Sequence, residues 1–163
     1  MHLKGSCHCG AVRFSAESRH PYPFSLCYCS ICRKTAGTGG YAINLRAETQ
    51  GMTVQGEEHI RVYQVVFSDP ESGEKTTSSL ERRFCGLCGT ALWAYDPGWP
   101  EMIHPHAGAI DTPLPVPPER THLMIGSKAS WVEVRSDTQD QCFLEYPQES
   151  LAAWHERLGL VQE

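Results

Sequence analysis

The stretch from Cys27 to Gly37 reads CYCSICRKTAG and carries three cysteines in a C-x-C-x-x-C spacing. That is one thiolate short of a closed tetrahedral metal site. Four further cysteines stand in two other clusters, Cys7 and Cys9 in CHCG and Cys85 and Cys88 in CGLCG, while Cys142 stands alone. Three metal-like spacings in one chain point to metal rather than to free thiols. Zinc is the expected ion, because tetrahedral thiolate sets suit its size and softness and it needs no redox partner; iron–sulfur is the alternative. In CGLCG, Gly86 and Gly89 are expected to adopt φ > 0 and turn backbone N–H groups toward the sulfurs. Seven thiols divide into four and three, a closed structural set and an open one. Spacing alone leaves open which clusters join, since Cys7 and Cys9 also suit the middle cluster.

Around these clusters run short segments of alternating or β-branched character: AVRFSA (11–16), YAINL (41–45), HIRVYQVVF (59–67), TALWAY (90–95), THLMI (121–125) and WVEV (131–134). Gly, Pro, Asp and Ser clusters separate them, so the fold class is mainly β. SDPESGEK (68–75) is a turn signal and predicts an antiparallel pair between HIRVYQVVF and the run ending at Phe84. The prolines of DTPLPVPPER (111–120) remove backbone donors and predict a surface loop. One clear helix is expected, over about 148–158, where Leu151, Trp154 and Leu158 share a face and Gly159 follows as a C-cap. The whole, 1–163, reads as a single domain with its core over about 5–135.

Composition narrows the function classes. With 163 residues, 40% hydrophobic, 20% charged and a net charge of -5, the chain has no electrostatic footprint for nucleic acid. MHLKGSCHCG has no apolar run behind Lys4 and no segment approaches a membrane span, so neither nucleic acid nor membrane is an expected partner and the expected location is cytoplasmic. There is no nucleophile elbow, phosphate-binding glycine loop, dinucleotide fingerprint or paired acid–base carboxylate motif.

Four segments together, G-S-C-H-C-G-A-V-R-F near the start, C-x-C-S-x-C-R-K-x-x-G at 27–37, R-x-F-C-x-x-C-G at 82–89 and H-A-G-A-I-D at 106–111, resemble the glutathione-dependent formaldehyde-activating enzyme family, which includes the centromere-protein-V-like domains. The resemblance runs from about Gly5 to Trp131. It implies a β-tent fold with two zinc ions per chain, one structural on Cys7, Cys9, Cys85 and Cys88 and one open or labile on Cys27, Cys29 and Cys32. It also implies a carbon–sulfur lyase activity, the reversible condensation of glutathione with formaldehyde to an S-hydroxymethyl adduct. In that reading Cys27, Cys29 and Cys32 form the catalytic centre, with a small thiol and a small aldehyde as partners. The family pattern has histidine where this chain has Tyr28, which marks Tyr28 as bearing on substrate contact.

Arg33 and Lys34, directly after the third thiolate, are candidates for binding the carboxylates of glutathione, and Arg82 and Arg83 before the CGLCG knuckle are further candidates. All four also suit solvated surface charge. His104 and His106 in HPH are weighed as ligands or a proton shuttle against structural roles, which the intervening Pro105 favours. His8 is expected to point away from the metal and Cys142 to be a small buried hydrophobe. Trp93, Trp99 and Trp131 are expected as core or loop anchors, any one of which could wall the pocket. A lyase acting on a different thiol adduct and a non-catalytic, zinc-stabilised thiol carrier or interaction module are the alternatives.

Overall fold

In the computed structural model, which describes residues 1–163, twelve strands form three sheets. The first is an antiparallel trio in the order β1 (His2–Ser6), β2 (Arg13–Glu17), β6 (Thr53–Gln55). The second has the order β5 (Ala47–Glu48), β10 (Met102–Pro105), β9 (Ala91–Tyr95), β8 (Lys75–Cys85), β7 (Ile60–Ser68), all antiparallel. The third runs β12 (Gln141–Cys142), β11 (Thr121–Leu123), β3 (Ser25–Cys27), β4 (Ala42–Ile43), with β11 parallel to both β3 and β12. The fold is mainly β, as the patterning predicts.

Period-two alternation builds the main core. In β1, Leu3 and Gly5 turn inward while His2 and Lys4 face water; in β2, Phe14 and Ala16 do the same. These meet Leu45, Leu92, Trp93 and Ile103 in one cluster that also contains the sulfurs of Cys7 and Cys85. Burying each large apolar side chain contributes about 1.5–3 kcal/mol. The turn predicted at 68–75 joins β7 to β8, held by Asp69, whose carboxylate accepts from the Glu71 and Ser72 N–H groups. The proline-rich 111–120 segment is irregular, as expected.

Three expectations are corrected. WVEV (131–134) forms no strand: Val132 is buried beside Leu26 and Tyr28, but Trp131 is 68% exposed and no strand pairs with the segment. A second helix, α1 (Ser30–Thr35), lies inside the cysteine motif, too short to show apolar periodicity. The C-terminal helix, α2, spans Leu151–Arg157 rather than 148–158, because Ser150 caps it by accepting from the Ala153 N–H. Gly159 follows in the left-handed region, as predicted. Trp154 anchors α2 fully buried, its ring stacked 3.8 Å from that of Phe24. Arg157 clamps the helix to Glu149 and Glu119.

Candidate metal centres and the cavity between them

The turn after β1 and the turn after β8 meet at one end of the core. There the sulfurs of Cys7, Cys9, Cys85 and Cys88 all lie within 4.8 Å of one another, with Cys7 and Cys9 3.4 Å apart and Cys9 and Cys85 3.8 Å apart. Zinc–sulfur bonds of about 2.3 Å in a tetrahedron require sulfurs about 3.8 Å apart, so the four side chains fit such an ion. Backbone geometry supports the same reading, since the Val12 N–H points at Cys7 Sγ from 3.2 Å. Gly89 takes φ +75° as expected, but Gly86 does not. Gly86 is needed for space: a Cβ there would come within 2.8 Å of the Arg61 side chain. Cys88 is drawn down to about 5, first by the Thr90 hydroxyl, which favours thiolate. Cys9 receives a lowering hydrogen bond from the Ala11 backbone, yet Cys7 and its other neighbours push it up to about 12. His8 is exposed and outside the set, as expected.

Cys27, Cys29 and Cys32 form the second group, again within 4.8 Å, and no fourth His, Cys, Asp or Glu joins it. Cys27 ends β3 and Cys29 is the N-cap of α1, its sulfur accepting from the Cys32 N–H at 3.3 Å. A capping sulfur thus does the work usually done by a Ser or Asp oxygen. The Cys27 and Cys32 thiols hold Cys29 down at about 2, and Cys27 is pushed up in return, chiefly by Cys29. Three sulfurs gathered this closely oppose one another's ionisation, and a dication among them would favour all three thiolates. Gly37, which closes the motif, lies against the Tyr41 carbonyl, where a Cβ would approach within 1.9 Å.

Tyr28 is turned away from this cluster. It is 2% exposed, packs with Leu26 and Val132, and shares a 2.9 Å hydrogen bond with Nδ1 of buried His122, whose Nε2 lies 3.4 Å from Asp140. The expectation that Tyr28 bears on substrate contact is therefore corrected: in the extended chain that continues past β3, Tyr28 follows Leu26 into the core while Cys27 faces the other way.

Cys27 and Cys32 open onto a cavity of about 960 Å³. Its opposite wall is the β7–β10 sheet, where register aligns Tyr63, Arg82, Ala94 and His104 in one cross-strand row on the cavity side. The side chain of Arg82 has no hydrogen bond or ion pair, whereas Arg83 is engaged by Glu81 at 2.6 Å and lies over the Tyr95 ring. Of the other basic candidates, Lys34 lines a smaller adjoining cavity of about 240 Å³, and Arg33 lines neither. His104 and His106 both line the large cavity despite Pro105, because Pro105 is the last residue of β10 and leaves the strand's other donors intact. Burial lowers the pKa of His104, and its Nδ1–H donates to the Leu45 carbonyl at 3.0 Å, leaving Nε2 as a neutral nitrogen with no protein partner. His106 lies between the carbonyls of Ile43 and Ala36 and ties β10 to the end of α1.

Sequence reading missed Tyr63 and Tyr146, which also line the cavity. Tyr146 is pushed up to about 12, first by desolvation and then by its nearness to Cys27, Cys29 and Cys32. The pairing register would have found Tyr63; nothing local marks Tyr146. Of the tryptophans, Trp93 is a buried core residue and Trp99 an exposed wall of the cavity. Cys142 is exposed rather than buried, because β12 is an edge strand whose alternate side chains face water.

The model of the glutathione-dependent formaldehyde-activating enzyme family matches residues 2–127. The chain belongs to that family. A Halomonas elongata protein whose name assigns it to the same family is 58% identical over 162 residues, covering 99% of both chains. A crystal structure of a Rhodobacter sphaeroides protein is similar at a TM-score of 0.50 and 26% identity, over 69% of this chain and 91% of that one. No helix is long and apolar enough to cross a membrane.

Proposed function

We propose that this single-domain chain is a cytoplasmic carbon–sulfur lyase that binds two zinc ions and reversibly condenses glutathione, or a related thiol, with formaldehyde. The observation that carries the reading is a three-sulfur group with no fourth protein ligand, two of whose members line a large cavity facing an unpaired arginine. Cys7, Cys9, Cys85 and Cys88 would hold the structural ion and Cys27, Cys29 and Cys32 the second. When bound at the second group, zinc supplies a soft Lewis acid that favours a thiolate over a thiol.

The chain's own residues do the rest. Arg82 offers a bidentate partner to a carboxylate of the thiol substrate, and Lys34 in the adjoining cavity reaches a second anionic end. Arg33, beside it in sequence, contributes positive charge behind the cysteines. Nε2 of neutral His104 is the free base of the cavity and takes the thiol proton. The sulfur lone pair then forms a bond to the carbonyl carbon, the carbon–oxygen π pair moves to oxygen, and the proton returns there from His104. No atom is lost and nothing is oxidised.

Exchange spectroscopy of glutathione with formaldehyde at equilibrium tests this reading. The zinc-loaded protein is expected to accelerate exchange well above the uncatalysed rate, and a Cys27→Ser, Cys32→Ser variant is expected to return it to that rate. No acceleration by the wild-type protein refutes the assignment.

A further inference from the structure

The cavity is poorly matched to formaldehyde and glutathione alone. Formaldehyde has two heavy atoms and glutathione is a polar, multiply charged tripeptide, yet the space of about 960 Å³ lies at the upper end of small-ligand sites. Its walls are rich in aromatic side chains, among them Tyr63, Phe84, Trp93, Trp99, Phe143 and Tyr146. Several of these serve no core. Tyr63 is 47% exposed and Trp99 57% exposed, so their ring faces meet water rather than packed neighbours. Large apolar side chains gathered around one opening are stabilised by an apolar ligand that covers them. Of the arginines and carboxylates that line it, Arg83 is paired with Glu81 and Glu149 with Arg157, which leaves Arg82 as the one unpaired charge. Ala94, between Arg82 and His104 in the cross-strand row, keeps the floor deep where a larger residue would fill it.

We propose that the electrophile this site is built to take is a bulky apolar aldehyde, aromatic or medium-chain aliphatic, whose thiol adduct lays its carbon chain along the Tyr63–Trp99 wall. The proposal rests on the thiol-binding reading of Cys27, Cys29 and Cys32. The reaction is the same addition: RSH and R′CHO give RS–CH(OH)–R′, with one carbon–sulfur bond formed and the thiol proton ending on oxygen. The sulfur end lies at the cysteines, an anionic end at Arg82, and R′ fills the aromatic part of the cavity.

S-methylglutathione and S-hexylglutathione, stable thioethers that mimic small and large adducts, provide the test by calorimetric titration of the zinc-loaded protein. A fully buried methylene is worth about fourfold in affinity, so five of them on an open-sided wall predict at least about tenfold tighter binding of the hexyl compound. In Trp99→Ala and Tyr63→Ala, two exposed positions whose truncation spares the core, the ratio should fall toward one. In exchange spectroscopy, hexanal should be processed with glutathione at a higher kcat/KM than formaldehyde. Equal affinity for the two thioethers, or a ratio unmoved by both substitutions, overturns the proposal even if formaldehyde exchange is accelerated. A clear hexyl preference without any accelerated exchange retains the apolar pocket and rejects the lyase reading instead. Hexyl binding that weakens as protein concentration rises shows the aromatic wall to be covered by a second copy of the chain, and this too overturns the proposal.

Discussion

The two cysteine groups differ in how much chain they tie together, and that difference sets the stability each should contribute. Cys9 and Cys85 are 76 positions apart, whereas Cys27 and Cys32 are separated by five. The entropy of closing a loop grows as (3/2)RT ln n, so a clip across the longer loop removes about 2.4 kcal/mol more from the unfolded state than one across the shorter. For a chain of this length, that corresponds to a difference in melting temperature of about 5–10 °C. A further asymmetry acts in the same direction: the C-x-C-x-x-C triplet can hold metal even in an unfolded chain, which lessens its preference for the native state. The comparison is between Cys85→Ser, Cys88→Ser and Cys27→Ser, Cys32→Ser, with metal content measured on the purified proteins and melting followed by circular dichroism. Each variant should lose one of two zinc ions, and the first should melt at least about 5 °C below the second. Equal melting losses would refute the entropic argument, and retention of all zinc in the first variant would refute the partition of the seven sulfurs.

Other expectations follow from individual side chains. Trp154→Ala removes a fully buried ring stacked on Phe24 and should cost about 3–5 kcal/mol, seen as a melting temperature lower by on the order of 10 °C. His20 is held down at about 4 by burial and then by His155, which burial also lowers, so the native state takes up protons later than the unfolded one. That contribution is complete above pH of about 6.5 and is lost as pH falls toward about 4. Urea midpoints measured from pH 7 to pH 5 should therefore decline, less steeply in His20→Asn. Arg82→Ala should raise the KM for glutathione by about tenfold or more, the loss of one charge-assisted bond, with a much smaller change in kcat. His104→Gln should preserve the Leu45 contact through its side-chain amide and, by removing the proton acceptor, lower kcat by about a hundredfold or more.

The sequence carried the fold class because alternation in β1, β2 and β9 is read directly as sheet, and it carried the cysteine clusters because their spacing is a local property. The joining of Cys7 and Cys9 to Cys85 and Cys88 was not local. It follows from β1 and β8 ending at the same side of the core, and only the family pattern gave it in advance. The cavity was least legible. Its arginine, tyrosine and histidine row is created by the register of four strands, so Arg82 looked like surface charge and Tyr63 like any strand residue. Tyr28 misled for the opposite reason: its place between two clustered cysteines suggested the site, but extended backbone turns successive side chains to opposite sides.

Phe143, Tyr146 and the chain through Leu151 form one wall of the cavity, although the family model ends at residue 127. The seven clustered cysteines, Arg82 and His104 all come from the earlier part of the chain. Part of the cavity's lining is thus encoded apart from the stretch that carries the clustered sulfurs. Point changes at Phe143 or Tyr146 would reshape that wall and leave the seven cysteines, Arg82 and His104 as they are, whereas replacing the whole tail would also remove Trp154, the buried ring that holds α2 on the core. The C-terminal segment can therefore be tuned residue by residue but not swapped as a cassette.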